Sequence, residues 1–83
     1  MTRSISAVAG DIASAWHQQK GGVNYAAKPY LAAMFELDTI DDKFMFDSAR
    51  TVLVYFLGNA KTFRGPRAKE LKAELKQILG GRS

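Results

Sequence analysis

The sequence predicts an all-α fold, a small bundle of about four helices around one strongly apolar helix. Three observations lead to this prediction. Apolar residues recur at helical spacing in four separate stretches, turn residues separate these stretches (Gly21 and Gly22, then Asp38 and Thr39, then Gly65 and Pro66), and one stretch is apolar on nearly every side. A chain of 83 residues has room for one hydrophobic core, so we assign a single domain to residues 1–83.

The strongly apolar stretch is the run of six apolar or aromatic residues at 52–57. A buried strand is the alternative interpretation, because valine, threonine and tyrosine favour β structure. Helical spacing continues on both sides of the run, however, and this favours a helix 3 over about 41–61 at the centre of the bundle. Its predicted buried ridge comprises Phe44, Met45, Ala49, Val52, Leu53, Phe56, Leu57 and Ala60, whereas Val54 and Tyr55 lie off that face.

The first two helices are defined by a cap and by a proline. Ser4 is a suitable N-cap for helix 1, over about 4–19, whose apolar stripe reaches Trp16. Pro29 is placed at the first position of a shorter helix 2, over about 29–37, where its missing N–H has no cost.

The last two helices begin at similar signals. Thr39 and Asp42 resemble a capping box with aspartate in place of glutamate, which places the start of helix 3 near residue 41. Pro66 begins helix 4, over about 66–79, after a four-residue turn at 62–65.

Composition limits the cellular setting. The sequence contains no cysteine, so it has no disulfide frame or thiolate metal cage and suits a reducing cytosol. Its N-terminus is a poor signal peptide, and no apolar run approaches the roughly 18 residues that span a bilayer. We therefore expect a cytoplasmic protein that has no membrane partner.

The charges are distributed unevenly along the chain. Residues 61–83 hold seven basic side chains against two acidic ones, whereas residues 36–47 hold five carboxylates against Lys43. This asymmetry bears on partners rather than on fold.

Helix 4 separates its charges by sign. Lys69, Lys72 and Lys76 form one stripe, and Glu70 and Glu74 form another. The pairs four residues apart, Lys72 with Lys76 and Glu70 with Glu74, therefore have the same sign, and i, i+4 ion pairs do not stabilise this helix. A solvated lysine-rich face is one interpretation; the other is a docking edge for an acidic protein surface or for phosphates. The candidate contact residues are Arg64, Arg67, Lys69, Lys72 and Lys76, with Lys61 and Arg50 as extensions.

Catalytic and metal-binding patterns are weak in this sequence. His17 is the only histidine, and at the end of helix 1 it is best interpreted as a surface residue. The acidic residues at 38–47 lack the ligand order, central glycine and closing glutamate of an EF-hand loop, so capping and solvation explain them; docking of a basic protein partner on this turn is the alternative. We therefore expect a non-enzymatic protein that needs no cofactor and no metal.

Two further functional hypotheses remain open. Helices 3 and 4 with the turn at 62–65 are compatible with a helix-turn-helix that places Arg67 and Lys69 near a DNA major groove. A structural module that pairs through helix 2 or through Leu71 and Leu75 is the other hypothesis.

The stretches PYLAAM (29–34), IDD (40–42), YFLGNA (55–60), FRG (63–65) and AKELKAEL (68–75) resemble a group of small helical proteins encoded by bacteriophages and prophages. The resemblance covers about residues 28–79. It implies a viral or mobile-element origin and a location in the bacterial host cytoplasm. Small phage proteins of this kind often bind a host protein to block a defence or redirect a process. We therefore predict a binding protein whose partner is most simply an acidic host protein surface.

Overall fold

The computed structural model describes residues 3–44 and 47–80, which form four helices and one short antiparallel hairpin. The small all-α bundle predicted from the sequence is confirmed. The described part of the chain measures 33 × 26 × 18 Å. The elements are α1 (Ile5–His17), α2 (Lys28–Met34), β1 (Lys43–Phe44), β2 (Asp47–Ser48), α3 (Ala49–Gly58) and α4 (Pro66–Gly80).

The helices pack as a closed ring. α1 packs against α4 and α2, and α3 packs against the same two helices from the other side. Aromatic residues fill the space between them. The ring of Trp16 stacks on Phe63 with centroids 5.0 Å apart and meets the edge of Phe56 at 6.0 Å. All three side chains are at most 1% exposed, so they form the centre of the core.

α1 follows its predicted pattern closely. The Ser4 hydroxyl accepts a hydrogen bond from the Ala7 amide at 3.2 Å and caps the helix. The apolar stripe from Ile5 to Trp16 is fully buried. The helix ends at His17 rather than at residue 19. A turn follows it, in which the Gln19 amide donates to the Trp16 carbonyl.

α2 is shorter than predicted because its C-terminal end tightens. The helix ends at Met34, and the amides of Phe35, Glu36 and Leu37 then donate to carbonyls three residues earlier. Such i→i+3 bonds belong to a 3₁₀-like final turn. The tighter turn buries Leu37 completely and leaves Phe35 47% exposed.

α3 begins at Ala49, not near residue 41. The Asp42 carboxylate does accept from the amides of Asp38 and Thr39, at 2.8 and 3.1 Å, but these bonds close a turn and no helix follows it. The antiparallel pair β1–β2 comes next, and Ser48 caps the helix by accepting from the Thr51 amide.

The predicted ridge of this helix is therefore shortened. Phe44 lies in β1, and Met45 falls outside the described residues. The remaining buried face is as predicted, with Ala49, Val52, Leu53, Phe56 and Ala60 at most 3% exposed.

α3 contributes one buried face to the core, and it is exposed on the opposite side. Val54 and Tyr55 are 52% and 54% exposed, and Leu57 is half-buried. The helix ends at Gly58 rather than at residue 61, so seven residues (59–65) connect it to α4.

Among the helices described, none has the length and hydropathy needed to cross a membrane.

Candidate basic docking surface

α4 presents two differently charged flanks because its buried face fixes its rotation. Ala68, Leu71, Leu75 and Ile78 point into the core. At about 100° per residue, Glu70 and Glu74 then lie on one side of this face and the three lysines on the other. The stripes predicted from the sequence therefore become the two edges of a packed helix.

The acidic edge of α4 faces α1 and is used in ion pairs. Both Glu74 oxygens accept from the Arg3 guanidinium, at 2.8 and 2.9 Å, and Arg3 also donates to Asp11 at 2.6 Å. The hydrogen bonds from Arg3 are the main cause that holds the pKa of the Asp11 and Glu74 carboxyls below their usual range. Arg3 thus links Glu74 to Asp11 of α1 and supports the α1–α4 packing from its outer side.

Arg67 belongs to this acidic edge and not to the lysine stripe. Its guanidinium donates to Asp11 at 2.9 Å and to Glu70 at 3.1 Å. The spacing of Arg67, Glu70 and Glu74 is i, i+3, i+7, which places all three on the flank that faces α1. The prediction that Arg67 extends the lysine stripe is not supported by this placement.

The lysine edge of α4 has no comparable neighbours. Lys69, Lys72 and Lys76 form no ion pair with any residue of the described ranges. Lys69 and Lys76 are exposed, whereas Lys72 is half-buried with its Nζ 5.8 Å from the centroid of the Phe63 ring. This geometry allows a cation–π contact that holds the amine over the core.

The Lys72 amine lies near two other positive charges, those of Lys76 and Arg64. Burial is the main cause that lowers the pKa of its amine, and the charges of Lys76 and Arg64 lower it further. Arg64, from the loop before α4, therefore lies close enough to join the lysine edge. An anion placed here would relieve the repulsion among these cations.

Arg64, Lys61 and Arg50 continue the positive surface beyond α4. Gln19 fixes the Arg64 backbone by donating to its carbonyl at 2.6 Å and accepting from its amide at 3.3 Å. The Arg64 side chain donates to the Lys61 carbonyl at 3.3 Å. Arg50 of α3 donates to the Leu79 carbonyl at 2.7 Å, near the end of α4. We name the resulting surface the basic ridge: Arg50, Lys61, Arg64, Lys69, Lys72 and Lys76.

The other candidate sites from the sequence remain separate from the ridge. His17 is exposed at the last residue of α1. Asp42 is engaged by two backbone amides, which lower the pKa of its carboxyl. Within 3–44 and 47–80, no group of three or more histidine, aspartate or glutamate side chains is placed to hold a metal ion.

Two surfaces considered from the sequence have a different geometry in the structure. A helix-turn-helix uses a turn of three or four residues, whereas the α3–α4 connection has seven. Leu71 and Leu75 are fully buried inside the bundle, so they are not available to pair with a second chain.

An open depression lies between α1 and the start of α4, on the flank away from the lysine edge. Its two charged residues, Asp11 and Arg67, are already paired with each other. The arrangement leaves no unpaired charge there to attract a ligand, so the basic ridge is the stronger candidate site.

Sequence reasoning placed Val54 and Tyr55 off the buried face but did not connect them to a site. In the structure both lie on the outer side of α3: Val54 is one helical turn after Arg50 of the ridge, and Tyr55 stacks on Tyr30 of α2. Searches for related proteins add no residue to this site, because no protein-family model, curated protein or solved structure matches the chain.

Proposed function

We propose that this chain is a small, non-enzymatic binding protein that docks its basic ridge on an acidic surface of another protein. One observation supports the proposal above the others. Both acids of α4 are paired, Glu74 with Arg3 and Glu70 with Arg67, while the lysines on the opposite edge form no ion pair within the described residues. A surface that only needed solvation gains from mixed charges, whereas a single-sign ridge gains from a partner of opposite sign.

The resemblance to small phage and prophage proteins suggests where the partner is found. We propose that the chain acts in the bacterial host cytoplasm, where it occludes or redirects a host protein. Electrostatic complementarity would speed the encounter and select acidic partners over others.

Nucleic acid is the second candidate, because the exposed basic side chains of the ridge also attract phosphates. It is less favoured because the α3–α4 connection is too long for a helix-turn-helix. In addition, Gln77 is the only amide or hydroxyl side chain of α4. Binding to nucleic acid has a distinct dependence on salt concentration. If four or five phosphates are neutralised, the affinity for duplex DNA should fall with a log–log salt slope of about −4.

The test is affinity capture from a nuclease-treated bacterial lysate, with protein identification by mass spectrometry. The double variant Lys69→Glu with Lys76→Glu reverses two exposed ridge charges. The matched control, Lys20→Glu with Lys28→Glu, makes the same change in net charge at exposed positions outside α4.

An acidic protein captured by the wild type and by the control, but not by the ridge variant, is the expected result. If the ridge variant and the control variant lose capture of the partner equally, binding depends on the net charge of the protein and not on the basic ridge. Submicromolar, salt-steep binding to random duplex DNA at about 150 mM salt would favour the nucleic-acid function instead.

A further inference from the structure

The outer side of α3 is uncharged and partly apolar. Val54 and Tyr55 are each about half exposed, although both are large apolar side chains on a short helix. Thr51 and Gly58 complete this side and add no charge. We name these four residues the α3 outer face. Single exposed apolar residues are ordinary, but adjacent ones on one helix form a surface that a partner can cover.

Tyr55 is held in a fixed orientation. Its ring stacks on that of Tyr30 from α2, with centroids 5.6 Å apart and planes 24° from parallel. A pre-positioned aromatic side chain loses little conformational entropy on binding, which is why tyrosine is enriched among the energetically important residues of interfaces.

The α3 outer face borders the basic ridge. Arg50 and Val54 are separated by one helical turn, and Arg50 reaches the Leu79 carbonyl on the lysine side of α4. Leu79 follows Lys72 by seven residues, so the two lie on the same flank of α4. The Val54 side of α3 and the Lys72 side of α4 are therefore neighbouring parts of one surface.

We propose that this combined surface binds one acidic amphipathic helix of the partner protein. The apolar side of that helix would cover Val54 and Tyr55, and its carboxylates would face Arg50, Lys61 and Lys72. This inference rests on the proposed function and extends it by naming the structural class of the partner segment. Helices with an apolar side and a charged side commonly dock on surfaces built in this way.

Charge argues against a second copy of this chain as the occupant. Two copies paired through the α3 outer face would bring their basic ridges near each other, and like charges across an interface are unfavourable. An acidic segment instead complements the ridge while it covers the apolar residues. The chemistry of the surface thus fits a helix with both properties.

The test uses a synthetic probe peptide of about 20 residues, long enough to form a helix, with leucine on one side and glutamate on the other. A scrambled peptide of the same composition has the same charge but no apolar side. Affinities are measured by fluorescence anisotropy, and contact residues are mapped by two-dimensional NMR of the labelled protein. Phe35→Ser is the matched control for Val54→Ser, because Phe35 is 47% exposed but lies directly after α2 and not on α3.

We expect the amphipathic peptide to bind at least tenfold more tightly than the scrambled one and to shift the amide signals of the α3 outer face. Val54→Ser should weaken binding about tenfold, and Phe35→Ser should leave it within twofold of the wild type. Equal binding of the two peptides, no binding up to millimolar concentration, or self-association of the free protein through α3 would overturn the inference.

The natural partner captured from lysate separates this inference from the proposed function. If Lys69→Glu with Lys76→Glu abolishes capture but Val54→Ser has no effect, the ridge docks on an acidic surface without using α3. If neither variant affects capture, the proposed function also fails.

Discussion

Replacing Phe63 by alanine tests whether the loop before α4 is part of the hydrophobic core. The side chain is 1% exposed, stacks on Trp16 and lies beneath Lys72. Truncation of a buried phenylalanine costs about 3–5 kcal/mol in the free energy of unfolding. At roughly 0.05–0.15 kcal/mol per residue, an 83-residue domain has only about 4–12 kcal/mol in total. The variant should therefore lose a large fraction of its stability.

Thermal and urea unfolding followed by far-ultraviolet circular dichroism measure this loss without depending on the fluorescence of Trp16. A cost of 3 kcal/mol corresponds to a fall in melting temperature of about 12 °C or more for a domain of this size. Phe63→Leu keeps most of the apolar volume and should cost under about 1.5 kcal/mol, so it remains measurable even if the alanine variant does not fold.

Phe35→Ala is the matched control, because the same truncation is made at a side chain that is 47% exposed. We expect it to cost less than about 1 kcal/mol. If Phe63→Ala is no more destabilising than Phe35→Ala, the loop does not contribute to the core and the packing described around Trp16 is incorrect.

Three other changes test separate parts of the fold. Leu53→Asp buries an unpaired charge in the core and should abolish cooperative melting in circular dichroism. Gly10→Ala should raise the free energy of unfolding by about 0.5–1 kcal/mol in urea titrations, because open space surrounds this position within α1. Arg3 lowers the pKa of Asp11 and Glu74, so their stabilisation is complete above the unfolded values of 3.8 and 4.5 and is lost as pH falls. Melting temperatures between pH 7 and 3 should therefore fall less steeply in Arg3→Gln than in the wild type; parallel curves would contradict this.

The elements predicted most accurately are those in which local signals and core packing agree. α1 has a serine cap followed by an apolar stripe, and α4 has Pro66 followed by another. In α1 the apolar stripe from Ile5 to Trp16 is buried, and in α4 the predicted face is buried from Ala68 to Ile78, whereas its last member, Leu79, is half-buried. Local propensity and long-range packing select the same structure there.

The start of α3 was not predictable from local pattern, because the chain offers two cap sequences in succession. Thr39 with Asp42 and Ser48 with Thr51 both form side-chain to backbone hydrogen bonds. Only the second leads into a helix, and the strands β1 and β2 occupy the space between them. Side-chain caps satisfy turns as well as helix ends, so tertiary context decides.

Two large core residues missed by the sequence lie outside the regular helices. Phe63 lies in a stretch predicted to be a turn, and Leu37 lies in the tightened end of α2, yet both are buried. Their burial depends on Trp16 and other residues far away in sequence, and periodicity carries no information about such contacts.

The same limit applies to the candidate site. Helical spacing was sufficient to separate the lysine edge of α4 from its acidic edge. It could not show that Arg67 pairs with Asp11, which lies 56 residues earlier, or that Arg50 reaches the end of α4. The membership of the ridge depends on contacts between helices.

Zero-length cross-linking with a carbodiimide, applied to the complex with its captured partner, tests the proposed docking mode most directly. The reagent joins lysine amines to carboxylates only where the two are in contact. We predict that Lys69, Lys72 and Lys76 become linked to aspartate or glutamate residues of the partner, while the exposed Lys20 and Lys28 do not. Links confined to Lys20 and Lys28, or spread evenly over all five lysines, would contradict docking through the basic ridge.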